Sequence, residues 1–412
     1  MPPSISDQEL LDAPRAIANP LHPDFVGRLD QDFIDYYNLR LSKAKPDNSA
    51  PIEKIRANRT RLRSPACRDY SRAACVEDIS LESDDGHIFT ARLYKPDPRS
   101  SPYGAGPYPV HVNFHGKCGG FTFGDLSSDA SICMKLRSQL GILVVDIDYR
   151  LRPEHKAGKG HKDCWAAVQW VHKYGANINA RPDSISIGGI SAGGHIAAVV
   201  QQLARDAKIS LKLAILGVPT VVSHAHYTTP TDSEFPSFVE NENAPCLNWN
   251  RIMFYRERGM HEDADDESGS ATLPEIYTNP LHGELEGVCD TFIATASADP
   301  LRDEGEVYGQ RLIAAGVRTT ARRYYGVPHN FMHMPIKKAD MYLRDVCEAL
   351  RSAHGVGFSN RSVNARKHMF QSIKQRRSAG AGASASTGGL AVRSWTWAPG
   401  KGRWRANGQT NG

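Results

Sequence analysis

No apolar run in this chain approaches the roughly 18 residues of a membrane-spanning helix, so no stable membrane insertion is expected. The opening stretch, "MPPSISDQELLDAPRAIANP", lacks a basic segment leading into an apolar core, and no secretory signal is read there. No two of the cysteines at 67, 75, 118, 133, 164, 246, 289 and 347 are spaced C-x-x-C. Without a secretory route they are expected as reduced, mostly buried thiols of a cytoplasmic protein. The final "QTNG" is neither a peroxisomal nor an endoplasmic-reticulum address. Acidic residues are missing altogether from 355 to 412, which holds ten Lys or Arg; the whole chain's +5 less those ten charges leaves −5 for residues 1–354. The basic balance therefore belongs to the tail, and the mildly acidic body offers no case for nucleic acid. No internal repeat is present.

What the chain does contain is ordered alternation. "FVGRLDQDFIDYYNLRL" places Phe25, Leu29, Phe33, Tyr36 and Tyr37 at helical spacing. "CVEDISLESDDGHIFTARLYKP" reads as a hairpin turning at Asp85-Gly86. From Tyr108 onward short apolar runs look like buried strands: "YPVHVNFH", "GILVVDIDY", "SISIGGI", "LKLAILGV", "DTFIATAS" and "TTARRYYG". Between or after them fall the helical stretches "KDCWAAVQWVHKYG", "GGHIAAVVQQLARDA", "EGEVYGQRLIAAG" and "ADMYLRDVCEALRSA". Continuous Val/Ile runs interleaved with amphipathic helices predict an α/β fold with a mostly parallel sheet covered on both faces. Such sheets carry their sites on loops at the strands' carboxyl ends. Residues 1–48, ahead of a catalytic domain spanning 49–354, and the polar, strand-poor 219–284 inserted in that domain fall outside the alternation and are expected to cap the site. Residues 355–412, with "SAGAGASASTGG", read as a disordered basic tail.

"SISIGGI" runs into Gly189-Ile190-Ser191-Ala192-Gly193 and then a helix. This is G-x-S-x-G in the strand–turn–helix setting that lifts a serine to the sheet's edge, with the Ala192 amide at a helix N-terminus able to donate to an oxyanion. A serine needs a base, and the base an orienting acid. After "DTFIATAS" come Asp299, Asp303 and Glu304; after "TTARRYYG" come His329 and His333. Asp303 and Glu304 open the next helix, where carboxylates favour the macrodipole. Proximity to the strand ends selects Asp299 and His329. Read singly, Asp299 is an N-cap, His329 a loop histidine and Ser191 a turn residue. Together, in the order Ser, Asp, His, they point to acyl transfer.

The pieces "FHG..GGF", "DYRLRPEH", "GGISAGGHIAA", "NPLHGELEGVCDTFIATASADPLRDEGEVYGQRLIAAGV" and "RRYYGVPHNF" resemble the hormone-sensitive-lipase family of α/β-hydrolases, from about Val76 to Ala353. The resemblance implies Ser191 as nucleophile, Asp299 as acid and His329 as base. It also implies an N-terminal helical cap and a second cap after the sixth strand. "VNFHG" and "SAGGHIAA" look most like fungal members, many of which serve specialised metabolism. In this family the oxyanion loop reads His-Gly-Gly-Gly-Phe, whereas here it is His115-Gly116-Lys117-Cys118-Gly119-Gly120-Phe121, two residues longer. By position the hole would use Gly119, Gly120 and Ala192. Three readings stay open: the extra pair bulges away, it displaces the amides, or it is an error in the gene model. Ile190 stands where many members carry Asp, and "KAGKGHK" replaces a proline-rich run; both bear on the substrate.

The expectation is a serine esterase acting on a small-molecule ester of short-to-medium acyl chain, with no cofactor. An acyltransferase, an aryl-formamide hydrolase and a non-catalytic ligand-binding relative are the alternatives. His224-x-His226 and the His329/His333 pair have metal-like spacing but no completing ligands, so no metal is expected. Asn58-Arg-Thr60 is a glycosylation sequon without a secretory route, and Trp395, Trp397 and Trp404 among arginines are assigned to the tail.

Overall fold

The computed structural model describes residues 17–43, 68–116, 121–257 and 273–356, together with the backbone of 395–397 and 404–406. The chain divides into two units, Met1–Gly357 and Phe358–Gly412. The sequon at Asn58 and most of the basic tail lie outside the described residues, as do Cys67 and Lys117 to Gly120.

In the first unit, α1 (Pro23–Val26) and α2 (Gln31–Leu39) precede the hairpin β1 (Val76–Glu82) and β2 (Ile88–Tyr94), which pair antiparallel. Then follow β3 (Tyr108–Phe114), α3 (Ala130–Leu140), β4 (Leu143–Asp148), α4 (Lys159–Tyr174), β5 (Ala180–Ile190), α5 (Ala192–Asp206) and β6 (Leu211–Gly217). Two short helices, α6 (Ser237–Glu240) and α7 (Trp249–Tyr255), occupy the stretch before β7 (Thr291–Ala298), α8 (Arg302–Ala314), β8 (Thr319–Pro328) and α9 (Lys337–His354). The eight strands form one sheet in the order β1-β2-β4-β3-β5-β6-β7-β8. Every pairing from β4 to β8 is parallel; only β1/β2 and β2/β4 run antiparallel.

Period-two alternation divides the sheet between two cores. Leu143, Val145 and Ile147 of β4 join α4, α5 and α8 on one face, through residues such as Val168, Ile196 and Tyr308. Val144 of the same strand joins α3, α9 and the N-terminal helices on the other, through Leu136, Tyr342 and Phe33. The alternation of elements in the sequence is thus a mostly parallel sheet with helices on both faces. Among the described residues no helix is long and apolar enough to cross a membrane.

Two local expectations change. The N-terminal amphipathic run is two helices, because Gly27 ends α1 and the Asp30 amide turns to donate to the Gly326 carbonyl (2.8 Å). Phe25, Leu29, Phe33 and Tyr37 are nevertheless all buried. Helix α3 had no counterpart in the pattern of strands and helices read above. Its buried positions, Ala130, Cys133, Leu136 and Leu140, are separated by lysine, arginine and serine, which dilutes the helical period. It stops at Gly141, which adopts the left-handed conformation (φ 65°) that a glycine accepts without strain.

In the second unit the backbone of β9 (Trp395–Trp397) and β10 (Trp404–Ala406) pairs antiparallel.

Candidate active site

Ser191 stands alone between β5, which ends at Ile190, and α5, which begins at Ala192. Its backbone (φ 58°, ψ −115°) is a conformation few L-residues adopt, the strained turn that aims a nucleophile away from the sheet. The serine N–H donates to the Gly217 carbonyl (2.7 Å), and its carbonyl accepts from the His195 amide (2.9 Å). Close packing explains the small neighbours. A Cβ on Gly193 would lie 1.9 Å from the Phe114 carbonyl oxygen, and one on Gly116 would lie 1.4 Å from that of Ile190. Ile190 itself is buried in the apolar core.

Asp299 follows directly on β7 and His329 on β8. One Asp299 carboxylate oxygen accepts from the Leu301 amide (3.0 Å), and the other faces His329 Nδ1 at 2.7 Å. His329 Nε2 is 2.9 Å from Ser191 Oγ. A carboxylate on Nδ1 selects the tautomer whose Nε2 accepts from the serine hydroxyl. All three residues are buried, so water competes little for these bonds.

The other candidates are engaged elsewhere. Asp303 accepts from the Ser237 amide (2.8 Å) and pairs with Arg302, while Glu304 accepts from the Val221 amide (2.8 Å) and pairs with His224 (2.9 Å). His333 pairs with Asp129 at 2.6 Å. The structure therefore brings Ser191, His329 and Asp299 into one line and leaves Asp303, Glu304 and His333 out of it.

Of the expected oxyanion donors, Ala192 is the first residue of α5, where an amide has no intrahelical acceptor. Gly119 and Gly120 lie outside the described residues, as do Lys117 and Cys118. The loop's described start is held firmly. Tyr149 donates its hydroxyl to the His115 carbonyl (2.7 Å) and stacks on the His115 ring with centroids 4.3 Å apart. Asp129 accepts from the Gly116 amide over 3.4 Å. Asn113 Nδ2 bridges Asp146 (2.7 Å) and Asp129 (3.4 Å), and burial together with the Asp129 charge pushes the Asp146 carboxyl well above the usual carboxylate range.

The segment between β6 and β7 reaches Asp299. Asn241, fully buried, donates from Nδ2 to the Asp299 carbonyl (3.0 Å) and accepts from Arg28 of the N-terminal segment (2.7 Å). No pattern in the sequence singles out Asp129 or Asn241. Tyr149 lies within the quoted "DYRLRPEH", yet its hold on the loop is a contact across 34 positions.

A serine on the turn after β5, an acid after β7 and a histidine after β8 of a mostly parallel sheet make the layout of an α/β-hydrolase. The family described as "alpha/beta hydrolase fold" matches residues 111–333. Carboxylesterase NlhH of Mycobacterium tuberculosis is 32% identical over 69% of this chain and 83% of its own length. An AB hydrolase superfamily protein of Schizosaccharomyces pombe is 27% identical over 81% of this chain and 96% of its own. Among solved structures, a Pyrobaculum calidifontis esterase superposes with a TM-score of 0.65 at 26% identity, over 80% of this chain and all of that one. The chain belongs to the α/β-hydrolase fold family. Its relatives include both bacterial and fungal proteins.

Proposed function

We propose that the protein is a serine carboxylic-ester hydrolase working through an acyl-enzyme. His329 Nε2 takes the Ser191 proton as Oγ attacks the ester carbonyl. The tetrahedral oxyanion is held by the Ala192 amide together with those of Gly119 and Gly120, the residues the sequence assigns to the hole. Asp299 keeps the imidazole in its working tautomer and stabilises the cation formed. The imidazolium returns its proton to the departing alcohol, and water, deprotonated by the same histidine, releases the acid and restores Ser191. The observation that carries this reading is the hydrogen-bonded line Ser191–His329–Asp299 at 2.9 and 2.7 Å.

The substrate proposed is an ester of short-to-medium acyl chain, bounded by a cap made of the N-terminal helices and residues 219–284. The Arg28–Asn241 contact between those two segments supports a shared cap. Among the described residues no cysteine is in a disulfide, which suits the reducing cytoplasm proposed as its location.

Hydrolysis of p-nitrophenyl acetate, butyrate and octanoate by the purified protein tests the proposal, with Ser191→Ala alongside. Turnover is expected for the shorter chains and a loss on the order of 10⁶-fold in kcat for the variant. A folded wild-type protein without turnover, or an active Ser191→Ala, would refute it.

A further inference from the structure

Residues 237–241 lie along the turn that carries Asp299. Ser237 donates its amide to the Asp303 carboxylate (2.8 Å) and its hydroxyl to the Pro300 carbonyl (2.6 Å). Glu240 pairs with Arg302 at 2.8 Å. Asn241 closes the series and reaches Asp299 itself, through the 3.0 Å bond to its carbonyl. The Arg302 amide also donates to that carbonyl, over a longer 3.2 Å.

Asn241 fits this place in a single orientation. The guanidinium of Arg28 only donates, so the atom 2.7 Å from it is the amide oxygen. The Asp299 carbonyl only accepts, so the amide nitrogen faces it. An aspartate here would satisfy Arg28 and turn a lone pair on the Asp299 carbonyl; a leucine would satisfy neither. Asn241 is fully buried, so water does not stand in for either partner. Arg28 is fixed in turn. It donates from Nη1 to the Glu240 carbonyl (3.0 Å) and lies over the Phe25 ring, 4.5 Å from its centroid.

We propose that Asn241 is a positioning residue for Asp299, with Arg28 setting the orientation of its amide. The inference rests on the Ser191–His329–Asp299 chemistry proposed above. The Asp299 carboxylate is divided between the Leu301 amide (3.0 Å) and His329 Nδ1 (2.7 Å), so its aim follows the backbone of the turn. Asn241 pins that backbone from the segment between β6 and β7, and Arg28 ties the pin to the link between α1 and α2. Seating of the N-terminal helices is thereby felt at the imidazole. A misplacement of about 1 Å costs on the order of 10²-fold in rate, so a small slip of the turn is enough to matter.

The test compares the full-length wild type with Asn241→Ala, Asn241→Asp and Arg28→Ala. Asn241→Ala should lose on the order of 10–10²-fold in kcat on p-nitrophenyl butyrate with KM little changed, short of the loss from removing the carboxylate itself. Asn241→Asp, which keeps the oxygen for Arg28 and gives up the donor, should match it. Arg28→Ala should show a smaller loss of the same kind. Because Arg28 is exposed, it also covers the case in which the Asn241 variants do not fold. The proton on His329 Nδ1 reports the geometry directly: its downfield NMR resonance should move upfield in each variant as the bond to Asp299 lengthens. That resonance needs no substrate, so it decides the matter even where the wild type turns over no ester. Phosphonate titration counts the intact serines. An unmoved resonance or unchanged kcat in folded Asn241→Ala, or a kcat loss matched by an equal loss of titratable serine, would overturn the proposal.

Discussion

Asp129 and His333 lie 204 positions apart in the sequence and meet at 2.6 Å in the fold. The first stands at the start of α3 and the second on the turn that carries His329. Because the other Asp129 oxygen accepts from Gly116, one buried carboxylate ties the start of the HGKCGGF loop to the turn after His329.

Removing that tie should cost both stability and rate. Asp129→Ala strips the buried carboxylate from His333 and Gly116, a loss of about 1–3 kcal/mol for buried polar groups left short of a hydrogen bond. Urea unfolding measures it, and kcat should fall more than KM rises if the loop holds the oxyanion as proposed. A variant with unchanged midpoint and unchanged kcat would deny the pair any such role.

Asp299→Asn keeps the shape and changes the tautomer. A carboxamide that donates to Nδ1 forces the proton onto Nε2, where it cannot accept from Ser191. A fall in kcat of about 10⁴-fold with KM little altered is expected from steady-state kinetics. Near-normal turnover would place the orienting acid elsewhere.

Two adjacent glycines should respond differently to alanine. At Gly193 the new Cβ meets the Phe114 carbonyl at 1.9 Å, backbone against backbone. At Gly194 the closest atom is the Pro219 Cβ at 3.1 Å, which a small shift relieves. Gly193→Ala is expected to lose its folded circular-dichroism signature or its active serine, counted by phosphonate labelling. Gly194→Ala should fold with a penalty of about 1–3 kcal/mol.

Stability should fall in mild acid. Burial pushes His111 down to about 3, and His195 and His354 down to about 4. Unfolded histidine titrates near 6.5, so between about pH 6.5 and pH 4 the unfolded chain binds protons that the folded one refuses. The stability these imidazoles confer is complete above pH 6.5 and is lost as pH falls through that window. Asp146 acts in the opposite direction, because burial keeps its carboxyl protonated where the unfolded chain ionises. Three imidazoles outweigh one carboxyl, and denaturation across about pH 4 to 7 should show stability rising with pH. His354→Gln should flatten that slope by about 1.4 kcal/mol per pH unit, one proton's worth.

The sheet was readable because its signals are local. Leu143, Val145 and Ile147 form a buried strand whatever surrounds them, and the glycines around Ser191 are dictated by a contact only a few ångströms away. Distance from a strand end survives into the fold, so Asp299 and His329 meet Ser191 while Asp303, Glu304 and His333 pair elsewhere. Helix α3 escaped because four buried residues among charged ones carry a faint period. Asp129 and Asn241 escaped for a different reason: their partners lie 204 and 58 positions away, and nothing in the adjoining residues encodes such a meeting. The break at Gly27–Asp30 likewise depends on Gly326, far along the chain.

The bond from Asn241 to the Asp299 carbonyl has a bearing on how the enzyme can be re-engineered. Residues 219–284 look like a cassette, inserted between two strands and open to exchange with the corresponding piece of a relative. They are not interchangeable in that way, since the transplant would also carry off a donor from the acid's own turn and an acceptor from Arg28. A chimera that retains asparagine at 241 and arginine at 28 would inherit a new specificity with the old chemistry. One that drops them would confound the two.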